Sequence, residues 1–177
     1  MKKYQISCPL VIKHLPSHER YKDKLISLIE QSDGELAENH NDNITETDFF
    51  YPNPRRLYEP LFMTIVKDVV KQLSNEFVDA GSTEFKSKLL HPWYQRYSKS
   101  DTHSWHDHAY DATLSIIYYL ELPRGTPSTE FLDPYTGRVH RPRVKEGDVL
   151  MFPSFVSHRS PENKSDQIKT IISMNLI

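Results

Sequence analysis

Three histidines define the chemistry open to this chain. His106 and His108 stand two positions apart in Trp105-His106-Asp107-His108, and His158 follows about fifty residues later, behind Phe152-Pro153-Ser154-Phe155-Val156-Ser157. On an extended segment, side chains two apart point the same way, so His106 and His108 can face one point. A third imidazole arriving from a later strand would close a three-point cradle for iron, copper, nickel or zinc. Three protein ligands leave coordination positions open for reaction, the pattern of a catalytic rather than a structural metal site.

The elements that must hold these residues can be read around them. At 177 residues the chain has the length of one domain with a real core. Hydrophobic residues make up 37% and charged residues 26%, as in ordinary globular proteins. A net charge of −2 supplies no general pull toward nucleic acid or anionic membranes. Cys8 is the single cysteine, which removes disulfide frameworks and thiolate metal sites and fits a reducing cytoplasm. Met1-Lys2-Lys3 faintly suggests a signal sequence, but the apolar stretch 6–12 contains Pro9, stops at Lys13 and is too short to span a membrane.

An opening edge strand is expected over 4–13, followed by a helix from a Ser17 cap to about Gln31 with Tyr21, Leu25, Leu28 and Ile29 on one face. Residues 32–47 are polar, with Gly34 and three asparagines, and read as a surface loop or lid. Pro60 opens a second helix whose apolar stripe runs Leu61, Phe62, Ile65, Val66, Val69, Val70, Leu73 and Phe77. From Leu89 onward short strands are expected at 93–97, 113–122, 129–132, 141–144, 148–152 and 167–175. Turns at 123–125, 133–137 and 146–148 separate several of them. Helices followed by many short strands predict an α+β, mainly β protein. This would be a double-stranded β-helix (jelly roll) with N-terminal helices packed on one sheet. The division expected is one domain over 1–177, with 1–88 as strand and supporting helices and 89–177 as the jelly-roll core carrying the site.

With these pieces in place, the second half resembles the iron(II)- and 2-oxoglutarate-dependent oxygenases, in particular small members from phage and marine bacteria. The resemblance rests on five stretches in order: 105–109, 114–120, 145–153, 158–161 and 169–175. It implies His106 and His158 as metal ligands, with His108 where the family usually has an aspartate. It implies Fe(II) as the metal, 2-oxoglutarate and O2 as cosubstrates, and oxidative release of succinate and CO2 with hydroxylation of a substrate. Lys169, eleven positions after His158, falls where the family places a cation for the far carboxylate of 2-oxoglutarate. Tyr119 matches a phenol that binds the same carboxylate in prolyl-hydroxylase relatives, and Ser115 shares its strand face. A His108 ligand leaves the metal about one charge unit more positive than a carboxylate would.

Competing assignments stand beside these. Arg159 is the main rival of Lys169 as cosubstrate anchor, and Arg141 with Arg143 could bind an anion on one strand face. His103 reads as a solvated loop histidine, while Trp105, Tyr94, Tyr118 and Phe155 are the expected apolar walls. A nearby Asp could complete the triad instead of His108. A cupin-type metalloenzyme without 2-oxoglutarate is the first alternative, although the glutamate of that signature is missing and Lys169 has no role in it. A non-catalytic jelly-roll binding protein is the second. The substrate, whether a small molecule or a side chain, is unread, and the oligomeric state is open.

Overall fold

The computed structural model describes residues 8–38, 42–77 and 88–177. Two antiparallel sheets face each other. The larger holds seven strands in the order β1-β9-β6-β11-β4-β3-β2, and the smaller holds four in the order β5-β10-β7-β8. The strands are β1 (Val11–His14), β2 (Glu35–Glu38), β3 (Asn43–Thr47), β4 (Trp93–Tyr97), β5 (His103–His106), β6 (Leu114–Glu121), β7 (Glu130–Leu132), β8 (Val139–His140), β9 (Asp148–Pro153), β10 (His158–Ser160) and β11 (Lys169–Leu176). This is the mainly β jelly roll expected from the sequence. Among the described residues no helix is long and apolar enough to cross a membrane.

Helices α1 (His18–Ile29) and α2 (Glu59–Asn75) cover the outer face of the large sheet. Both follow the 3.6-residue period of their apolar positions: Leu25 and Ile29 on α1, and Phe62, Val66, Val69, Val70 and Leu73 on α2, are buried. They pack against Ile116, Tyr118, Met151, Ile172 and Met174. Pro60 sits in the first turn of α2, where its missing N–H has no helical partner to lose. Ser17 does precede α1, but its side chain makes no capping bond. Strand β1 lies at a sheet edge against β9, with Val11 opposite Met151. Residues 4–7 of the expected opening strand lie outside the described residues.

The central strands β6, β9 and β11 are buried on both faces, so they read as continuous runs rather than alternating ones. Period two still sorts them. Ile116, Tyr118 and Leu120 belong to the helix-side cluster, and Ile117 and Tyr119 to the cluster between the sheets, with Leu150, Phe152 and Ile171. The β8-side turn uses Gly137 at φ 66°, and the turn before β9 uses Gly147 at φ 84°. At Gly147 a Cβ would stand 2.5 Å from His14 Cε1 and 2.8 Å from the His18 ring, so the two histidines and the turn pack only around a glycine.

Two expectations are corrected. Within the polar stretch 32–47, Glu35–Glu38 and Asn43–Thr47 are strands rather than loop: β2 and β3 pair with each other and β3 extends the large sheet onto β4, Glu46 opposite Arg96. Ladder bonds come from the backbone, so polar side chains survive on an edge hairpin where only Ile44 and Thr47 of β3 are buried. Residues 141–144 are not a strand. Pairing with β7 ends at Val139–His140, and Pro142, lacking an N–H, cannot extend it.

Candidate metal centre

Strands β5 and β10 pair with His158 directly opposite His106, which brings the two rings to 4.2 Å between centroids. His108 lies beyond the end of β5. Its backbone N–H donates to the Ser154 carbonyl at 2.9 Å, which ties it to the loop between β9 and β10. Its ring stands 5.3 Å from that of His106 and 5.4 Å from that of His158. One nitrogen from each of the three lies within 4.8 Å of the others. An ion with bonds of about 2.1 Å draws its ligands to roughly 3–3.5 Å from one another, so small ring rotations close the set.

The tautomers favour the same conclusion. Nδ1 of His106 is 2.8 Å from the Ser104 carbonyl, and Nδ1 of His158 is 3.0 Å from the Val156 carbonyl. A carbonyl can only accept, so both Nδ1 atoms carry the proton and both Nε2 atoms offer a lone pair. Metal-binding imidazoles are commonly oriented by this kind of backbone bond. Burial lowers the basicity of all three, with His108 pushed down to about 4 and His158 well below its ordinary value; the neighbouring imidazoles add to the effect on these two. The cluster is therefore neutral near pH 7. These residues fit a divalent transition metal through three neutral nitrogens.

A cavity of about 310 Å³ opens beside the histidines. Its walls come from the inward parity of several strands: Trp93, Gln95 and Tyr97 on β4, Ser115 and Ile117 on β6, and Ile171, Ser173 and Asn175 on β11. Lys169 is fully buried behind this wall. Its Nζ donates to Ser160 Oγ at 2.5 Å and to the Pro127 carbonyl at 3.3 Å, and lies 4.5 Å from the centre of the Tyr97 ring. Among the described residues no carboxylate pairs with it, and burial pushes its pKa down to about 7. Tyr119 is also buried, and its hydroxyl donates to Thr129 Oγ1 at 2.9 Å. Ser160, Tyr97 and Thr129 line the cavity, so Lys169 and Tyr119 approach it through their partners.

Ser115 lies elsewhere. Register sets it opposite Asn175, six residues along β11 from Lys169 and so about 20 Å away. It donates to Asn175 Oδ1 at 2.8 Å and shares a hydrogen bond with Ser154 Oγ at 3.0 Å. Ser115 therefore lines the opposite end of the cavity from Lys169.

Other assignments move. Arg159 is bound to the buried Glu130 carboxylate at 2.7 Å and lies over the Trp105 ring at 4.7 Å. Arg141 bonds the other oxygen of Glu130. Although burial pushes that carboxyl upward, the two guanidinium groups hold it below the usual range. Arg159 thus already has a counter-ion, which Lys169 lacks among the described residues. His103 is not a solvated loop residue. It stands on β5, stacks on His106 at 3.9 Å, meets Gln95 Nε2 at 3.3 Å, and has its pKa pushed down to about 3 by burial and the neighbouring His106. Tyr94 and Tyr118 face the helices, and Phe155 is half exposed outside the cavity, so none of the three is a wall. Phe49, Phe50, Trp93, Tyr97 and Phe152 are the aromatic lining instead. Alternation along β4 could have revealed Trp93, because Tyr94 and Trp93 must face opposite ways. Nothing local marks Phe49 and Phe50.

No family model matches the sequence, and no curated protein matches it. Similarity appears in three dimensions. A 2OG-Fe(II) oxygenase family oxidoreductase from Burkholderia pseudomallei superposes with TM-score 0.69 at 11% identity, over 94% of this chain and 84% of that one. The non-heme alpha ketoglutarate dependent epimerase SnoN of nogalamycin biosynthesis gives 0.68 at 13% identity, over 95% and 76%. A prolyl-4-hydroxylase from Pseudomonas putida gives 0.65 at 12% identity, over 94% and 91%. The fold of this chain is that of the 2OG-Fe(II) oxygenases.

Proposed function

We propose that this protein is an Fe(II)- and 2-oxoglutarate-dependent dioxygenase that hydroxylates a C–H bond of its substrate. In the overall reaction, substrate, 2-oxoglutarate and O2 become hydroxylated product, succinate and CO2. The observation that carries the reading is a pairing: three convergent neutral imidazoles and, behind one end of the same cavity, a buried ammonium with no carboxylate partner among the described residues. The first suits a catalytic transition metal. The second suits a bound dicarboxylate, because a buried cation without a counter-ion is costly and gains by acquiring one.

In this reading His106, His108 and His158 hold Fe(II), and Lys169 takes the far carboxylate of 2-oxoglutarate. Tyr119 and Thr129 sit beside that anchor as hydroxyl donors. Iron with 2-oxoglutarate supplies the oxidation when O2 is bound. The chain's own residues do the rest. The carbonyls of Ser104 and Val156 keep Nε2 of His106 and His158 unprotonated. Phe152, packed 4.8 Å from His158, and Phe131 exclude water from the inner side of the site. His108 in place of a carboxylate makes the ligand set uncharged, so the metal's two positive charges face the cosubstrate undiminished. The epimerase among the structural neighbours carries the same fold, so the reaction type rests on the site rather than on the fold. A cupin-type reading gives the buried Lys169 no partner and ranks second.

The test is an anaerobic titration of the protein with Fe(II) and 2-oxoglutarate, watching for the visible charge-transfer band of a chelated 2-oxo acid. We expect the band in wild type and a loss of 2-oxoglutarate affinity, with retained metal affinity, in Lys169→Met. Absence of the band in wild type, together with no succinate formed under O2, would overturn the proposal.

A further inference from the structure

The cavity end away from Lys169 has its own chemistry, and its role as a substrate site rests on the oxygenase reading. Phe49 and Phe50 remain 47% and 56% exposed at the cavity mouth, with their rings 4.9 Å apart and nearly perpendicular. Phe49 continues to Trp93 at 5.1 Å, and Trp93 to His108 at 5.8 Å. This edge is anchored. The buried Asp48 carboxylate accepts from Arg56 Nε at 2.8 Å, Tyr58 OH at 2.8 Å and the Tyr94 backbone N–H at 2.9 Å. Aromatic rings fixed in water at the entrance to a cavity form a contact surface for an apolar body.

Two polar side chains beneath them have hydrogen-bonding capacity left among the described residues. Ser173 and Asn175 are each 6% exposed and line the cavity. Among the described residues the Ser173 hydroxyl has no hydrogen-bond partner, while the Asn175 amide uses only its oxygen, toward Ser115. Neither the hydroxyl nor the amide nitrogen is sealed off, so both are open on the cavity side to a partner that enters it. On the rim beside His108, Asp107 and Asp111 also line the cavity. Asp107 accepts one backbone N–H, from Ala109 at 3.1 Å, and neither carboxylate is paired with a Lys or Arg among the described residues. Arg159, the guanidinium on this wall, is neutralised by Glu130.

We propose that this end of the cavity binds the substrate, and that the substrate carries a protonated amine on an apolar body. The ammonium would lie between the aromatic faces and the two carboxylates, both of which attract a cation. A hydroxyl, carbonyl or amide group of the same molecule would meet Ser173 and Asn175. A carboxylate-bearing substrate would instead face Asp107 and Asp111 with like charge.

A charge series on one apolar body tests this: 2-phenylethylammonium, 2-phenylethanol and 3-phenylpropionate. Binding is followed by tryptophan fluorescence in the full chain, both metal-free and loaded with Zn(II) and 2-oxoglutarate. We expect the ammonium to bind about tenfold more tightly than the alcohol, with the carboxylate weakest. Asp107→Asn with Asp111→Asn should erase the ammonium preference while leaving the alcohol's affinity unchanged, and Phe50→Ala should weaken both. Equal affinity across the series, or an ammonium preference that survives in the double variant, would overturn the proposal. An ammonium preference in a protein that shows no Fe(II)–2-oxoglutarate band would leave this site standing and remove the oxygenase reading. The band without the preference would do the reverse.

Discussion

On β6 the side chains of Ile116, Tyr118 and Leu120 meet the helices, while those of Ser115, Ile117 and Tyr119 meet the interior between the sheets. Strand β11 divides likewise, with Ile172, Met174 and Leu176 outward and Lys169, Ile171, Ser173 and Asn175 on the cavity side. The outer face is almost wholly apolar and closed by α1 and α2. The inner face carries buried serines, an asparagine and a lysine. One backbone thus divides its labour between two faces. Apolar clusters form on both sides, but the inner one also holds these buried polar groups around a cavity, and the shared strands make that side rigid.

Substitutions on each face can break or sharpen that division. Phe62→Ala on α2 removes a ring stacked on Tyr118 at 5.8 Å and should cost about 3–5 kcal/mol in denaturant unfolding. Metal affinity measured by Co(II) spectroscopy should stay unchanged; a parallel fall would mean that the faces are not separable. His158→Ala should act the other way, lowering Co(II) affinity by more than about a hundredfold, beyond what losing an orienting partner costs. Its unfolding midpoint without metal should shift less than that of Phe62→Ala.

Lys169 gives a pH signature. Its folded pKa of about 7 lies below the ordinary lysine value of 10.5, so from pH 7 to 10.5 the unfolded chain binds more protons and stability rises with pH. Cosubstrate binding runs oppositely, because a carboxylate prefers the ammonium. Affinity for 2-oxoglutarate should fall as pH rises above about 7, by up to about tenfold per unit, with proton uptake seen by calorimetry in buffers of different ionisation enthalpy. Lys169→Arg should flatten the profile. Smallest of all, Ser173→Ala should change stability by no more than about 0.5 kcal/mol, since no hydrogen bond is lost. A larger loss would reveal a structural role for that hydroxyl.

Much of this was legible in the chain. The stripe from Leu61 to Leu73 and the turn at Gly147 follow from period and backbone freedom. The spacing of two grouped His106 with His108, although His108 lies beyond the end of β5, and His158 joined them through the resemblance rather than through local parity. Other features depend on distant partners. The β2–β3 hairpin looks like a loop because an edge ladder places few demands on side chains. His103 looks solvated until β5 turns it against His106 and Gln95. Arg159 looks like a free cation until β7 delivers Glu130 opposite it. Ser115, Tyr119 and Lys169 share a face, but the antiparallel register that sends Ser115 to the opposite end belongs to the pairing of strands far apart in the chain.

The β2–β3 hairpin also bears on how this molecule could change over time. It joins the large sheet at β4, and Phe49 follows its last residue after only Asp48, so the aromatic rim moves with the hairpin. The imidazoles hang from β5, β10 and the short segment after β5. The hairpin is also tied to β5, through the Asn43–Thr102 bridge and the Asp42 carboxylate that accepts the Ser104 N–H at 2.6 Å, so a lineage that re-letters the hairpin to alter the entrance also touches the support of His106. Entrance and histidine cluster are thereby bound to change together within one small chain.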